Sequence, residues 1–297
     1  MGAFRRLALG SGAVAAAAVY RRLAHPPRRR PARLRVAPVL VGHRGAAALA
    51  PENTLEGCGL AVERWGAGAL EVDVHATADG VCVLLHDPTV DRTTDGTGRV
   101  DSFSLAELRE LDAGHRFTAP DGTRPFRGRG VRIPTLGELL EALPETLVLV
   151  DLKTADAAEP LARAIDAAAA WDRVIVAGER RSDRGPLARY RGPTGIAQED
   201  TTRFFAAHHL GLRRFWRPTD DVACLPEHHR GLRILTPGVI RGLHERGLAV
   251  WVWTVNDADD MRRLLDWGAD GVLTDRPDVM RNVLDRVAPH PPLHATG

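Results

Sequence analysis

From Ala37 onward, short apolar runs rich in β-branched residues alternate with stretches of helical pattern, and this alternation limits the fold more than any other feature. Residues 39–43, 69–74, 81–86, 147–152, 174–177, 194–197, 249–254 and 271–274 read as strands. Between most of them a helix-capping residue stands three positions before an acid: Asn53 and Glu56, Ser104 and Glu107, Thr135 and Glu138, Asn256 and Asp259. Such pairs mark helix starts, because the cap side chain accepts from a free backbone N–H while the acid reaches back. Repeated strand-then-helix units imply a parallel sheet covered by helices. Eight strands suit a closed α/β fold, the (β/α)8 TIM barrel, better than a doubly wound sheet. Residues 232–235 are a spare strand candidate, so the identity of the sixth strand stays open.

Two features interrupt the pattern. Only residues 77–80 separate the second strand from the third, which leaves no room for a helix. Residues 87–134 then form a long excursion rich in Gly, Arg and Asp, with one helix expected over 104–111. Long loops within compact domains are commonly lids or binding segments. After the third strand, this one would cap the face where barrel active sites lie. The expected barrel spans 38–288, with 289–297 as a disordered C-terminus.

The composition, 44% hydrophobic and 26% charged, supports a large core and argues against a disordered chain. Three cysteines, Cys58, Cys82 and Cys224, share no C-x-x-C spacing, which excludes a disulfide framework and a thiolate zinc site. A net charge of +2 excludes a strongly basic nucleic-acid binder.

That charge is unevenly spread. Nine of the 40 basic residues fall within residues 1–37, which contain no acid, so the remaining body is net acidic. A basic tail on an acidic body points to an anionic surface, such as a membrane, as the tail's partner. Residues 7–20 form an apolar run between Arg5–Arg6 and Arg21–Arg22. It is short against the about 20 residues of a spanning helix. A secretory signal fits the order of charge and apolar run, but neither the arginines that follow nor the missing small-x-small cleavage site. An interfacial helix or a disordered tail is the third reading. The excess of arginine downstream would place the body of a spanning protein in the cytoplasm. We therefore expect membrane association with a cytoplasmic catalytic domain, with secretion through a cleaved signal as the alternative. Residues 23–37 read as a Pro/Arg linker.

Polar residues collect where the strands end. Side chains at i and i+2 of a strand share a face, so Glu71 and Asp73 point the same way within an apolar run. Two carboxylates in a barrel lumen repel and need a compensating cation, for which a divalent metal with oxygen ligands is the economical answer. Asp151 and Lys153 repeat the spacing on the fourth strand, and His43 and His86 each end a strand. Lys153 is the only lysine, in a sequence whose other cationic side chains are arginines. A compact ammonium differs chemically from a planar guanidinium, so the exception marks that position. Arg44 lies in the turn before Gly45, and arginine is the natural bidentate partner of phosphate. A cation, an arginine, two imidazoles and a lysine describe a phosphoester site better than a carbonyl site.

These residues also sit in ordered motifs. V-G-H-R-G (41–45), P-E-N-T (51–54), E-V-D-V (71–74), D-G (79–80), H-D (86–87), R-T-T (92–94), W-T-V-N (253–256) and D-G-V-L-T-D-R-P (270–277) resemble the glycerophosphodiester phosphodiesterases over about residues 38–285. The resemblance implies a metal-dependent barrel that hydrolyses glycerophosphodiesters to glycerol 3-phosphate and an alcohol. By matched position, His43 and His86 are implied as the acid–base pair and Arg44 as the phosphate ligand. Glu71, Asp73 and Asp151 are implied as ligands of Mg2+ or Ca2+, and Lys153 as a cation near the phosphate. Glu52 would stand just behind the ligands, and Trp253 would wall the pocket. Asp151 departs from the family, which has Glu there, and its shorter side chain bears on how it reaches the cation.

Other candidates carry plainer expectations. His208–His209 and His228–His229 read as solvated loop histidines, since adjacent side chains on a helix diverge by about 100°. Trp251 and Cys82 read as core, and Asp270 and Asp275 as turn and cap residues, with a reach into the site as the alternative for Asp275. Three rival functions remain open: an enolising lyase or isomerase with Lys153 as base, a non-catalytic phosphodiester-binding barrel, and a phosphodiesterase cleaving lysophospholipids at a membrane.

Overall fold

The structure is a computed structural model that describes residues 30–34, 39–187 and 189–286. The apolar run at 7–20 and the C-terminal residues 289–297 lie outside the described residues. Parallel strands β1 (Val39–His43), β2 (Ala69–Ala76), β4 (Leu147–Leu152), β5 (Val174–Gly178), β6 (Val222–Pro226), β9 (Ala249–Trp253) and β10 (Gly271–Thr274) pair in the order β5-β4-β2-β1-β10-β9-β6. Thr194 and Gly195 bridge the remaining gap, the first to Val176 of β5 and the second to Val222 of β6, both parallel. With that pair as the fifth stave, the sheet curls into a (β/α)8 barrel whose staves follow chain order.

Three strand expectations need correction. Residues 81–86 are not a barrel stave: β3 (Cys82–Leu84) pairs antiparallel with β2, Val74 opposite Leu84. A five-residue link permits only that arrangement, because a parallel return needs a crossover of a dozen residues or more. The true sixth stave, β6, was not anticipated. The spare candidate at 232–235 contributes instead to an exposed hairpin of β7 (His228–His229) and β8 (Leu232–Arg233).

The helices wrapping the barrel are α1 (Leu55–Gly59), α2 (Leu105–Leu108), α3 (Leu136–Ala142), α4 (Ala158–Ala167), α5 (Gln198–His209), α6 (Pro237–His244), α7 (Ala258–Asp266) and α8 (Pro277–Arg286). Ser104 and Thr135 form the expected capping boxes on α2 and α3. The two asparagines do not cap. Thr54 caps α1 and Asp257 caps α7, each one residue later than expected.

Strand alternation divides the core in two. Leu40, Leu70, Val72, Val148, Val150, Val250 and Val252 point outward and pack under the helices with Leu139, Leu161, Ile240 and Leu264. Val41, Ala69, Leu147, Leu149, Ile175, Val222, Ala249, Trp251 and Leu273 point into the lumen, which confirms Trp251 as core. Leu34 joins them from below, only 3% exposed. Residues 30–34, part of the expected linker, thus pack on the N-terminal end of the barrel, where Arg30 Nη1 donates to Asp270 Oδ1 at 2.8 Å. The excursion has its own small core of Val90, Val100, Leu108, Val131 and Ile133, which packs with Val83 of β3.

Asp270 is buried and also accepts from the Val250 N–H at 2.7 Å, with His244 Nε2 at 2.7 Å. Asp270→Ala would strand these donors, so we expect a loss of about 3 kcal/mol in denaturant unfolding. A change below about 0.5 kcal/mol, the range of ordinary surface substitutions, would contradict that role.

Candidate active site

The lumen-facing registers carry their polar residues to the C-terminal mouth. Val39 and Val41 lead to His43, Ala69 leads to Glu71 and Asp73, and Leu147 and Leu149 lead to Asp151, each two positions further up a strand. One carboxylate oxygen each from Glu71, Asp73 and Asp151 lie within 4.8 Å of one another. Lys153 Nζ stands 2.7 Å from Asp73 Oδ1 and 2.7 Å from Asp151 Oδ2. Arg44 Nε approaches Asp73 Oδ2 at 3.2 Å, although its N–H is not aimed at that oxygen.

The three acids are not equivalent. Burial, together with the charge of Asp73, pushes the Glu71 carboxyl up to about 8. Burial also pushes Asp73 upward, but the Lys153 ammonium and Arg44 outweigh it and hold that carboxyl below its usual range. Three hard oxygen donors converging from two strands fit a divalent cation such as Mg2+ or Ca2+. Asp151, despite its shorter side chain, reaches the cluster.

The Glu71 shift has a measurable sign. In cation-free protein the folded Glu71 keeps a proton from pH near 4.3, where an unfolded carboxyl releases it, up to about 8. The folded state then binds more protons than the unfolded one, so stability falls as pH rises through that window. Melting curves in chelator should drop between pH 5 and about 8, and added Mg2+ or Ca2+ should flatten the drop. A flat or rising profile in chelator would contradict the assignment.

Both imidazoles are held through Nδ1. His43 Nδ1 lies 2.6 Å from Asp275 Oδ1, while its Nε2 turns toward Glu71 Oε2 at 3.9 Å. Burial alone would lower His43, but the Asp275 bond and the Glu71 charge leave it raised. His86 Nδ1 lies 2.7 Å from Asp87 Oδ1. Arg92 Nε donates to Asp87 Oδ2 at 2.6 Å and helps hold that carboxyl down to about 2.

A chain of alternating charges ties the two histidine regions together. Arg92 donates to both oxygens of Glu52, at 2.7 and 2.8 Å, and Arg44 Nη1 donates to Glu52 Oε1 at 3.0 Å. The Arg44 backbone N–H donates to Glu71 Oε2 at 3.1 Å. Arg44 adopts a left-handed backbone with φ of 51°, a strained conformation for a side-chain-bearing residue. Gly45 follows at φ 87°, where an added Cβ would sit 2.6 Å from the Gly57 carbonyl carbon. The H-R-G turn therefore needs its glycine for conformation and for close packing on α1.

The structure thus brings His43, Arg44, Glu52, Glu71, Asp73, Asp151 and Lys153 together, with His86 joined through Asp87 and Arg92. Trp253 ends β9 at the same mouth, 43% exposed. Two neighbours, Asn53 and His75, escaped the sequence reading, and Asp275 takes the alternative left open for it. Asp275 faces His43 instead of only serving a turn. Asn53 donates from Nδ2 to Asp73 Oδ2 at 2.9 Å and accepts from the Asp73 N–H at 3.2 Å. His75, two residues beyond Asp73 and so on its face, donates from Nε2 to the His86 carbonyl at 3.2 Å. The i+2 rule that found Asp73 could have found His75.

Among the other candidates, His228 and His229 are exposed as expected. His208 is not a loop residue: it lies on α5, partly buried, 5.5 Å from the Phe204 ring. Cys82 is buried, its thiol pushed up to about 12 by desolvation.

Fold and site together define a barrel enzyme built to act on an anionic phosphate group. The family model for the glycerophosphoryl diester phosphodiesterase family matches residues 43–191 and 206–279. A Mycobacterium tuberculosis protein described as "Probable glycerophosphodiester phosphodiesterase 2" is 34% identical over 83% of this chain and 90% of its own length. The glycerophosphodiester phosphodiesterase of Caldanaerobacter subterraneus subsp. tengcongensis is 30% identical over 83% of this chain and 97% of its own. An Oleispira antarctica phosphodiesterase, solved in complex with the product sn-glycerol-3-phosphate, superposes with a TM-score of 0.68 over 84% of this chain and 97% of its own. At 22% identity that likeness speaks for the fold. The chain belongs to the glycerophosphoryl diester phosphodiesterase family.

Proposed function

We propose that this enzyme hydrolyses glycerophosphodiesters to glycerol 3-phosphate and an alcohol in a cation-dependent reaction, with His43 and His86 as the acid–base pair. The observation that carries the reading is the convergence of Glu71, Asp73 and Asp151 beside an imidazole whose Nε2 is turned toward them. Glu71, Asp73 and Asp151 would hold Mg2+ or Ca2+, which supplies Lewis-acid stabilisation of charge on the phosphoryl oxygens. Arg44 and Lys153 supply further positive charge where the phosphate would sit. With each Nδ1 engaged by a carboxylate, Nε2 is the ring nitrogen free to exchange a proton with water or the leaving alcohol. Exposed Trp253 would form an apolar wall for the substrate. The glycerol 3-phosphate in the Oleispira neighbour supports the substrate class.

The test is release of glycerol 3-phosphate from glycerophosphocholine by the full chain. An enolising activity, or binding without turnover, would replace this reading. Against the enolising rival, Lys153 is paired with two carboxylates, which hold its ammonium above its ordinary value even though burial lowers it.

The basic N-terminal segment is proposed to tether the enzyme to an anionic membrane on its cytoplasmic side. Among the described residues no helix is long and apolar enough to cross a membrane. Arg30–Leu34 pack at the barrel end opposite the site. Sedimentation of the full chain with anionic vesicles, and its absence with neutral ones, is expected. Equal recovery with both would contradict the tether.

A further inference from the structure

We propose that Asp275 and Asn256 form a positioning relay that selects the tautomer of His43, a step that rests on His43 serving as acid or base. Asp275 is a carboxylate kept below its usual range: burial pushes it up, but the hydrogen bond and charge of His43, the Asn256 hydrogen bond and the Arg44 charge together outweigh that. An ionised carboxylate only accepts, so the proton of the neutral ring resides on Nδ1, 2.6 Å away, and Nε2 is left bare toward the carboxylate cluster.

Asp275 is in turn fixed by Asn256. Asn256 Nδ2 donates to Asp275 Oδ2 at 2.8 Å. The amide cannot turn over without loss, because its Oδ1 accepts from Thr274 Oγ1 and from the Asp275 backbone N–H, both at 2.9 Å. The motif W-T-V-N thereby acts on V-G-H-R-G through T-D-R-P, three segments distant in sequence. The second histidine is backed differently, since Asp87 shares its charge with Arg92 whereas Asp275 is backed by a neutral amide.

The relay makes an unusual prediction for Asp275→Asn. Asn256 would still present its N–H to the Oδ2 position, so the new amide must place its oxygen there and its NH2 against His43 Nδ1. That nitrogen is forced to accept, the ring proton moves to Nε2, and the nitrogen facing the cluster is blocked. We expect kcat for glycerophosphocholine to fall about 10³-fold with KM within about threefold. Adding Asn256→Ala removes the constraint, lets the new amide turn its oxygen to Nδ1, and should restore about tenfold of the loss. A purely structural role predicts the opposite, a further decline.

The tautomer can be read without turnover from the imidazole ¹⁵N resonances of His43 in the full chain. The expected change is from a protonated Nδ1 in the wild type to a protonated Nε2 in Asp275→Asn, with return in the double variant. Wild-type protein that fails to release glycerol 3-phosphate would remove the proposed function, while the ¹⁵N shifts would still decide the relay. If Asp275→Asn does not fold, Asn256→Ala alone carries the test, with about a tenfold lower kcat at an unchanged KM. An Asp275→Asn enzyme within tenfold of wild type, a double variant no more active than the single, or an unaltered His43 tautomer would each overturn the proposal.

Discussion

His43→Ala and His86→Ala are each expected to lower kcat for glycerophosphodiester hydrolysis by at least about 10³-fold while the fold stays intact. Positioned acid–base groups contribute about 10²- to 10⁴-fold each, and groups acting on one proton path are lost together. Neither side chain holds the barrel up. His43 ends β1 above a lumen already filled by Val41, Trp251 and Leu273, and His86 is partly exposed beyond β3. Far-ultraviolet circular dichroism and melting points near wild type should accompany the loss. The leaving group separates the two roles. An ester whose alcohol departs without protonation should rescue whichever variant has lost the acid and should not rescue the one that has lost the base. Activity within tenfold of wild type in either variant would remove that histidine from the mechanism.

The second large effect concerns the carboxylate cluster. Chelation of divalent cations should abolish turnover, and Glu71→Gln should do nearly the same at saturating Mg2+ or Ca2+. Glutamine preserves size and the acceptor for the Arg44 backbone N–H, so the variant removes charge with little change of packing. A hard cation bound by three carboxylates loses a third of its anionic donors, and calorimetric titration should show weaker binding before any assay is run. Asp151→Ala should have a smaller effect, because Asp151 lies at the solvent edge of the cluster whereas Glu71 and Asp73 are buried. Full activity in excess chelator would contradict the cation's role.

Much of this site was readable because strand periodicity is rigid. Once 69–74 is a strand facing the lumen, Ala69, Glu71 and Asp73 must share that face, and the same rule joins Leu149 to Asp151. The barrel follows from repeated strand–helix units for the same reason. Failures occurred where several local signals overlap on one residue. Asn53 and Asn256 look like helix caps, yet Thr54 and Asp257 beside them take that role, which frees each amide to bind a site carboxylate. Asp275 reads as a turn residue because its partner, His43, is 232 positions away, and no local pattern records that contact. Residues 81–86 resemble a buried strand, and they are one, but periodicity does not report direction. The shortness of the link between β2 and β3 does. The fifth stave, read at 194–197, is borne out by the bridges at Thr194 and Gly195, whereas β6 offers only four residues before Pro226, which has no backbone N–H to donate.

The most direct test of the account follows glycerophosphocholine by ³¹P NMR with the full chain stripped of metal, then supplied with Mg2+ or Ca2+. The account predicts no reaction before addition, and afterwards conversion of the diester signal to that of glycerol 3-phosphate, lost again in Glu71→Gln and in His43→Ala. A diester signal that stays unchanged with every divalent cation, or that disappears equally fast in His43→Ala, would contradict it.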